Sequence, residues 1–211
     1  MLIRSILIPK DKLTTLSSDA KIKDALDLIE SKGFLSLPVV DEGRYIGLIS
    51  KEELFEAFIQ SGNCDFPSFG ERSIRDYVEH PVDPVKETLF IEEAADIFFK
   101  QHVRFLPVVG NENRLLGIVS QKALFAVITK VYGLYDAKIV IHSDDFVGSL
   151  SKILSIIEKS DVNVSNIAQF DTEVMGIIEI SIRVVGSNLD KLVERLKDRG
   201  IKVKEFIPAK A

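Results

Sequence analysis

The chain has one cysteine, Cys64, and three histidines scattered too widely for metal-ligand spacing. A lone thiol cannot close an internal disulfide, so we expect a reducing compartment and no structural zinc. Basic residues are the minority: 27 Lys and Arg face 32 Asp and Glu, for a formal net charge of −5. No Lys/Arg-rich run supplies the electrostatic footprint of a nucleic-acid binder. Long apolar runs are missing too. The opening stretch MLIRSILIPKDK is interrupted by Arg4 and closed by Pro9, short of a signal peptide's apolar region. Nothing approaches the ~18–20 uncharged apolar residues that cross a bilayer. We therefore expect a cytoplasmic protein with neither a membrane nor a nucleic-acid partner. Catalytic signatures are also lacking: there is no nucleophile elbow, Walker A loop, GxGxxG or HExxH, and we expect no enzyme, no catalytic cofactor and no bound metal.

What is present is an ordinary globular composition, 46% hydrophobic and 28% charged over 211 residues, enough for one to two domains with a sizeable core. An internal repeat organises the first two thirds. The triplet Pro38 to Val40 returns at Pro107 to Val109, an offset of about 69 residues. At the same offset Ile22, Ala25 and Asp27 fall on Ile91, Ala94 and Asp96. After a one-residue insertion Arg44, Gly47, Ser50, Leu54 and Phe55 fall on Arg114, Gly117, Ser120, Leu124 and Phe125. Each copy predicts a helix from apolar residues at helical spacing, a strand ending in LPVV, a turn, a second strand and a second helix capped by Ser50 or Ser120. Gly33 is a good C-cap for the first helix. Short apolar leads, Ile3 to Ile8 and Ile74 to Val78, precede the copies, and SGNCDFPSFGERS, 61–73, reads as the linker between them.

From Ala137 the repeat stops. Residues 137 to 211 carry 11 basic and 11 acidic side chains, which leaves the whole −5 on the first 136 and puts a boundary near Tyr135. Periodicity predicts strand (138–142), helix (150–157), strand (163–167), strand with Ile178, Ile180, Ile182 and Val184 alternating with polar residues, helix (189–196) and strand (202–207). That order, βαββαβ, is ferredoxin-like. The expected fold class is α+β: βαββα-type repeats at 1–60 and 74–132, then a ferredoxin-like domain at 137–207.

The duplicated pattern of LPVV, a turn, two apolar residues, Gly, two apolar residues, Ser and a helix resembles the cystathionine-β-synthase (CBS) domain, and two copies resemble a CBS pair covering about residues 1 to 132. The loop Asp145-Phe146-Val147-Gly148 before a helix, with DVNVSNI after it, resembles the ACT domain over roughly 137 to 207. The combination is similar to acetoin-utilisation CBS–ACT regulatory proteins. The resemblance implies a ligand-sensing regulator whose CBS pair binds an adenine nucleotide of the AMP/ADP/ATP, S-adenosylmethionine or NAD type. It implies an ACT domain that binds an amino acid or small carboxylate, and an unidentified enzyme as the regulated partner. A docking module with empty clefts is the alternative.

The residues so implicated also have plain explanations. Ser50 and Glu53 make the Ser-x-x-Glu of a capping box. In CBS domains the corresponding Ser/Thr-x-x-Asp carboxylate receives a ribose, which Glu53 would reach with a longer arm, whereas the second copy pairs Ser120 with Ala123. Arg104 and His102 fall where CBS proteins contact adenine and phosphate, and a guanidinium suits phosphate oxygens. Gly33, Leu37, Pro38 and Pro107 flank the same strands. We expect the copies to divide the work: Glu53 for a nucleotide in the first cleft, Arg104 for one in the second, and a single site occupied per chain. In the ACT segment Asp145, Phe146 and Gly148 would hold a carboxylate with Asn163 nearby. Helix stripes containing Phe55 and Phe125 look too wide for one module to bury, and we expect a homodimer.

Overall fold

The computed structural model describes every residue except 63–64, 102, 144–147, 174–175 and 211. The chain divides into two compact units, Met1–Phe125 and Ala126–Ala211.

The elements of the first unit are β1 (Ile8–Pro9), α1 (Ile22–Lys32), β2 (Ser36–Asp41), β3 (Arg44–Ser50), α2 (Lys51–Gln60), a short α3 (Phe66–Gly70), α4 (Ile91–Gln101), β4 (Phe105–Val109) and β5 (Leu115–Ser120). Helix α5 (Gln121–Val131) runs across the division between the units. The apolar positions that predict α1 are the ones it buries: Ile22, Ala25, Leu26 and Ile29. It ends because Gly33 adopts φ +65, a left-handed conformation open to glycine. Its N–H and that of Phe34 then bond to the carbonyls of Glu30 and Ile29, which would otherwise be orphaned. The β2–β3 hairpin turns through Glu42 and Gly43, both at positive φ, the geometry that suits the twist of paired strands.

The sequence does not reveal what the leads do. Each one crosses to the opposite repeat. Strand β1, from the first lead, pairs antiparallel with β5 of the second repeat, in a sheet ordered β1-β5-β4. In return Glu79 bridges antiparallel to Leu48 on β3, the Ile74 N–H donates to the Ala20 carbonyl, and the Arg72 carbonyl accepts from the Ile22 N–H at the start of α1. Ile74 is fully buried in the first repeat's core beside Ile22, Ile29, Ile49, Leu54 and Phe69. The segments that follow the leads stay at home: Leu16 pairs in parallel with Val39, and Val85 with Val108. Both repeats therefore carry the same four-part sheet, completed by the other repeat's lead.

That exchange explains Gly47 and Gly117. A Cβ on Gly47 would stand 2.6 Å from the carbonyl oxygen of Glu79, and one on Gly117 would stand 2.1 Å from that of Ile8. Real side chains do not come so close, so only glycine lets the exchanged leads pass.

The second unit contains β6 (Ala137–Ser143), α6 (Ser149–Glu158), β7 (Val162–Asp171), β8 (Ile178–Gly186), α7 (Leu189–Asp198) and β9 (Val203–Ile207). Its sheet, β7-β8-β6-β9, is antiparallel throughout, the expected ferredoxin-like arrangement. Ile178, Ile180, Ile182 and Val184 face inward, against Ile153 and Ile157 of α6 and Leu192 and Leu196 of α7. Strand β7 runs to Asp171, beyond the expected Ile167, because it pairs with β8 along that whole length after a register shift between Val164 and Asn166.

Candidate functional site

Two of the cavities formed by the described residues of the first unit are lined by both repeats. The smaller, about 270 Å³, takes Leu48, Ser50, Lys51 and Glu52 from the first repeat, Glu79 and Pro81 from the second lead, and Arg104 from the second repeat. The larger, about 430 Å³, takes Lys12 and Thr14 from the segment that follows the first lead, Gly33, Leu37 and Pro38 from the first repeat, and Arg104 and Ile118 from the second. Each cavity is thus a product of both repeats.

The first residue of each repeat's second helix fixes the loop at these cavities. The Lys51 N–H donates to the carbonyl of Leu35, and the Gln121 N–H donates to that of Arg104, both at 3.1 Å. Gln121 adds a side-chain bond to the Val103 carbonyl at 3.0 Å. Leu35 and Arg104 are therefore equivalent positions, one apolar and one cationic.

Ser50 lies in the smaller cavity and also caps α2, its hydroxyl accepting from the Glu53 N–H at 3.0 Å. Ser120 caps α5 in the same way, accepting from the Ala123 N–H at 3.1 Å. Neither Ser120 nor Pro107 is among the residues lining these two cavities. Burial chiefly, then interaction with the neighbouring carboxyl of Glu53 and the nearby negative charges of Glu56 and Glu52, hold Glu79 above the usual carboxylate range. The first-repeat carboxylate that sequence offers for a ribose is thus engaged with a second acid.

Two expectations require correction. Arg104 does not mark a separate second cleft, because it lines both cavities. Truncating it cannot by itself tell which one a ligand occupies. Asn163 is not near Gly148. Ser143, at the end of β6 leading to Gly148, is level with Ile178, and Ile178 is level with Asp171. Asn163 is level with Val185, beside the opposite end of β6, roughly 20 Å of strand away. His102, Asp145 and Phe146 lie outside the described residues, as does Cys64.

Gly148 precedes α6 with φ +85 and open space around its Cβ position, so its requirement is conformational and not steric. In the second unit a cavity of about 140 Å³ opens beside the start of α6, lined by His142, Ser143, Ser149, Lys152, Gly200 and Lys202 among others. The Ser143 and Ser149 hydroxyls are 2.8 Å apart, and His142 Nε2 is 3.4 Å from a Glu179 carboxylate oxygen.

Sequence analysis misses Lys12, Thr14, Glu79 and Phe105, because the crossing of the leads, which sets Glu79 against Leu48 and precedes the segment holding Lys12 and Thr14, is a long-range event. Among the described residues no cluster of His, Cys, Asp and Glu could hold a metal ion, and no helix is long and apolar enough to cross a membrane.

Residues 3–60 and 74–130 each match the CBS domain, which together is more than half of the chain. The chain belongs to the CBS-domain family. Residues 138–200 match the ACT domain, so the CBS pair is followed by a second regulatory module. The curated relatives include the inosine-5'-monophosphate dehydrogenase of Thermoplasma acidophilum, 28% identical over 108 residues, or 51% of this chain and 20% of that one. Another is an uncharacterised protein of Methanocaldococcus jannaschii, 31% identical over 111 residues, or 52% of this chain and 38% of its own. The chain thus spans about a fifth of the dehydrogenase, and the likeness to such enzymes runs through the CBS region.

Among solved structures, CbpB in complex with c-di-AMP superposes with a TM-score of 0.56 at 21% identity, over 62% of this chain and 85% of its own. CBSX2 in complex with AMP gives 0.53 at 21% identity, over 62% and 97%. A CBS domain pair/ACT domain protein from Thermotoga maritima gives 0.50 at 22% identity, over 62% and 98%. Likeness at this level of identity speaks to the fold.

Proposed function

We propose that this protein is a non-enzymatic, cytoplasmic regulator in which the CBS pair, 1–60 and 74–132, senses an adenine nucleotide and the ACT domain, 137–207, senses an amino acid or small carboxylate. One observation carries the nucleotide assignment: the larger cavity combines apolar walls, from Leu13, Phe34, Leu37, Phe105 and Ile118, with the cations Lys12 and Arg104 and the hydroxyl of Thr14. A base needs the first and a phosphate the second. Its volume falls in the range of ligand cavities, ~300–1,000 Å³. CBSX2 and CbpB, which share the fold, were solved with AMP and with c-di-AMP. The candidate ligands are AMP, ADP, ATP, S-adenosylmethionine and NAD.

The regulated partner is an enzyme, with acetoin utilisation as the candidate setting on the strength of the CBS–ACT combination. Phe55 on α2 and Phe125 on α5 are 41% and 60% exposed, and Ile59 is 75% exposed, which supports a homodimer joined through these helices. The same exposure favours the alternative, a docking module whose clefts stay empty.

Thermal unfolding of the full chain against the nucleotide panel separates the two. A ligand that binds only the folded state adds RT ln(1 + [L]/Kd), about 2.7 kcal/mol at a hundredfold excess over Kd. A rise in Tm with one nucleotide supports sensing; an unchanged Tm across the panel, with no nucleotide found by mass spectrometry of the purified protein, supports docking.

A further inference from the structure

The two cavities of the CBS pair have a wall in common. Leu35 and Ser36 of the first repeat and Arg104 and Phe105 of the second line both of them. These are equivalent positions, 35 with 104 and 36 with 105, brought face to face by the repeat's internal symmetry. The first copy has Leu35, so a single guanidinium stands between two cavities.

We propose that the cavities compete for Arg104, so that the chain holds one nucleotide at a time and holds it in the larger cavity. The proposal rests on the nucleotide reading above and adds where the ligand sits and what its arrival does to the other cavity. A planar guanidinium offers one fork to one phosphate. Once turned to one cavity it leaves the other with its remaining charges. For the larger cavity the charged residues among the described lining are Lys12 and Arg104, with no acid among them. For the smaller, among the described residues, it is Lys51 and Arg104 against the acids Glu52 and Glu79, and when Arg104 turns away one cation is left facing two acidic side chains. An anion is repelled from such a site, and close like charges disfavour binding strongly. Size points the same way, since about 270 Å³ is below the usual range for ligand cavities and about 430 Å³ is within it.

Isothermal titration of the full chain with AMP tests this, using wild type, Lys12→Met, Arg104→Met and Glu79→Gln, with circular dichroism to verify folding. Arg104 is exposed, so its replacement leaves the core intact. We expect one AMP per chain in wild type, affinity at least tenfold weaker in Lys12→Met and in Arg104→Met, and still one AMP per chain in Glu79→Gln. Two AMP per chain in wild type or in Glu79→Gln would overturn the competition. A folded Lys12→Met that binds AMP as well as wild type would overturn the choice of cavity. Absence of any AMP heat, together with no thermal shift from the wider panel, would remove the nucleotide reading itself and this proposal with it.

Discussion

A side-chain carbon on Gly117 would lie 2.1 Å from the carbonyl oxygen of Ile8, a residue that belongs to the lead of the other repeat. The contact is with backbone, which cannot rotate aside as a flexible side chain would. Gly117→Ala must push β1 off β5 or strain both, at about 1–3 kcal/mol by analogy with overpacked cores. Thermal unfolding should show a Tm several degrees below wild type, and Gly47→Ala, facing Glu79, should behave alike. A Gly117→Ala protein with unchanged Tm would mean that the lead is not held where the structure has it.

Glu79 should make stability depend on pH in the direction opposite to an ordinary ion-paired carboxylate. Its folded pKa is raised, mainly by burial, so between its unfolded and folded values the native state binds more protons than the unfolded one. Its contribution is fully present below the unfolded value, near 4.3, and is lost as pH rises through the folded value. Glu79→Gln should therefore raise Tm relative to wild type at pH 8 and give little or no gain at pH 4. Equal effects at both pH values would separate the shift from the carboxyl.

The caps of α2 and α5 should each contribute about 0.5–2 kcal/mol. Urea unfolding of Ser50→Ala and Ser120→Ala should give similar losses, since the two hydroxyls accept from the Glu53 and Ala123 N–H groups at 3.0 and 3.1 Å. If Ser50→Ala alone is costless, Ser50 serves the cavity and not the helix.

A dimer through the exposed faces of α2 and α5 predicts that Phe55→Glu combined with Phe125→Glu gives a monomer. Light scattering at micromolar concentration should report twice the chain mass for wild type and one chain mass for the variant. A wild-type monomer would refute the dimer outright.

At Gly148 the cost of substitution should follow backbone preference and not size. With φ +85 and nothing within 4 Å of its Cβ position, Gly148→Val should destabilise by about 1–3 kcal/mol, whereas Gly148→Asn, which tolerates positive φ, should cost less. Equal Tm values for the two variants would contradict this.

Local patterns were readable because local physics decides them. The buried positions of α1, the αL cap at Gly33, the serine caps and the alternation along β8 all follow from spacing within a few residues. The candidate site was half legible. Gly33, Leu37, Pro38, Ser50 and Arg104 are at the cavities, yet Glu79 continues a lead that crosses between repeats, and Lys12 and Thr14 follow the other one. No periodicity within a lead records which sheet it will join. Asn163 failed for a related reason: closeness to Gly148 depends on which end of β7 is level with Ser143, and register is fixed by pairing with β8.

The crossing of the leads also sets the order in which the chain can fold as it is made. Ile8 pairs with Ile118, so the residues around Ile8 wait while roughly 110 more are added, some 5–20 s at ordinary synthesis rates. Until then the apolar stretch around Ile3 to Ile8 has no sheet to join, and the first repeat lacks the lead that buries Ile74. Neither repeat can be finished before the other exists, and a nascent chain halted between them would present two incomplete sheets.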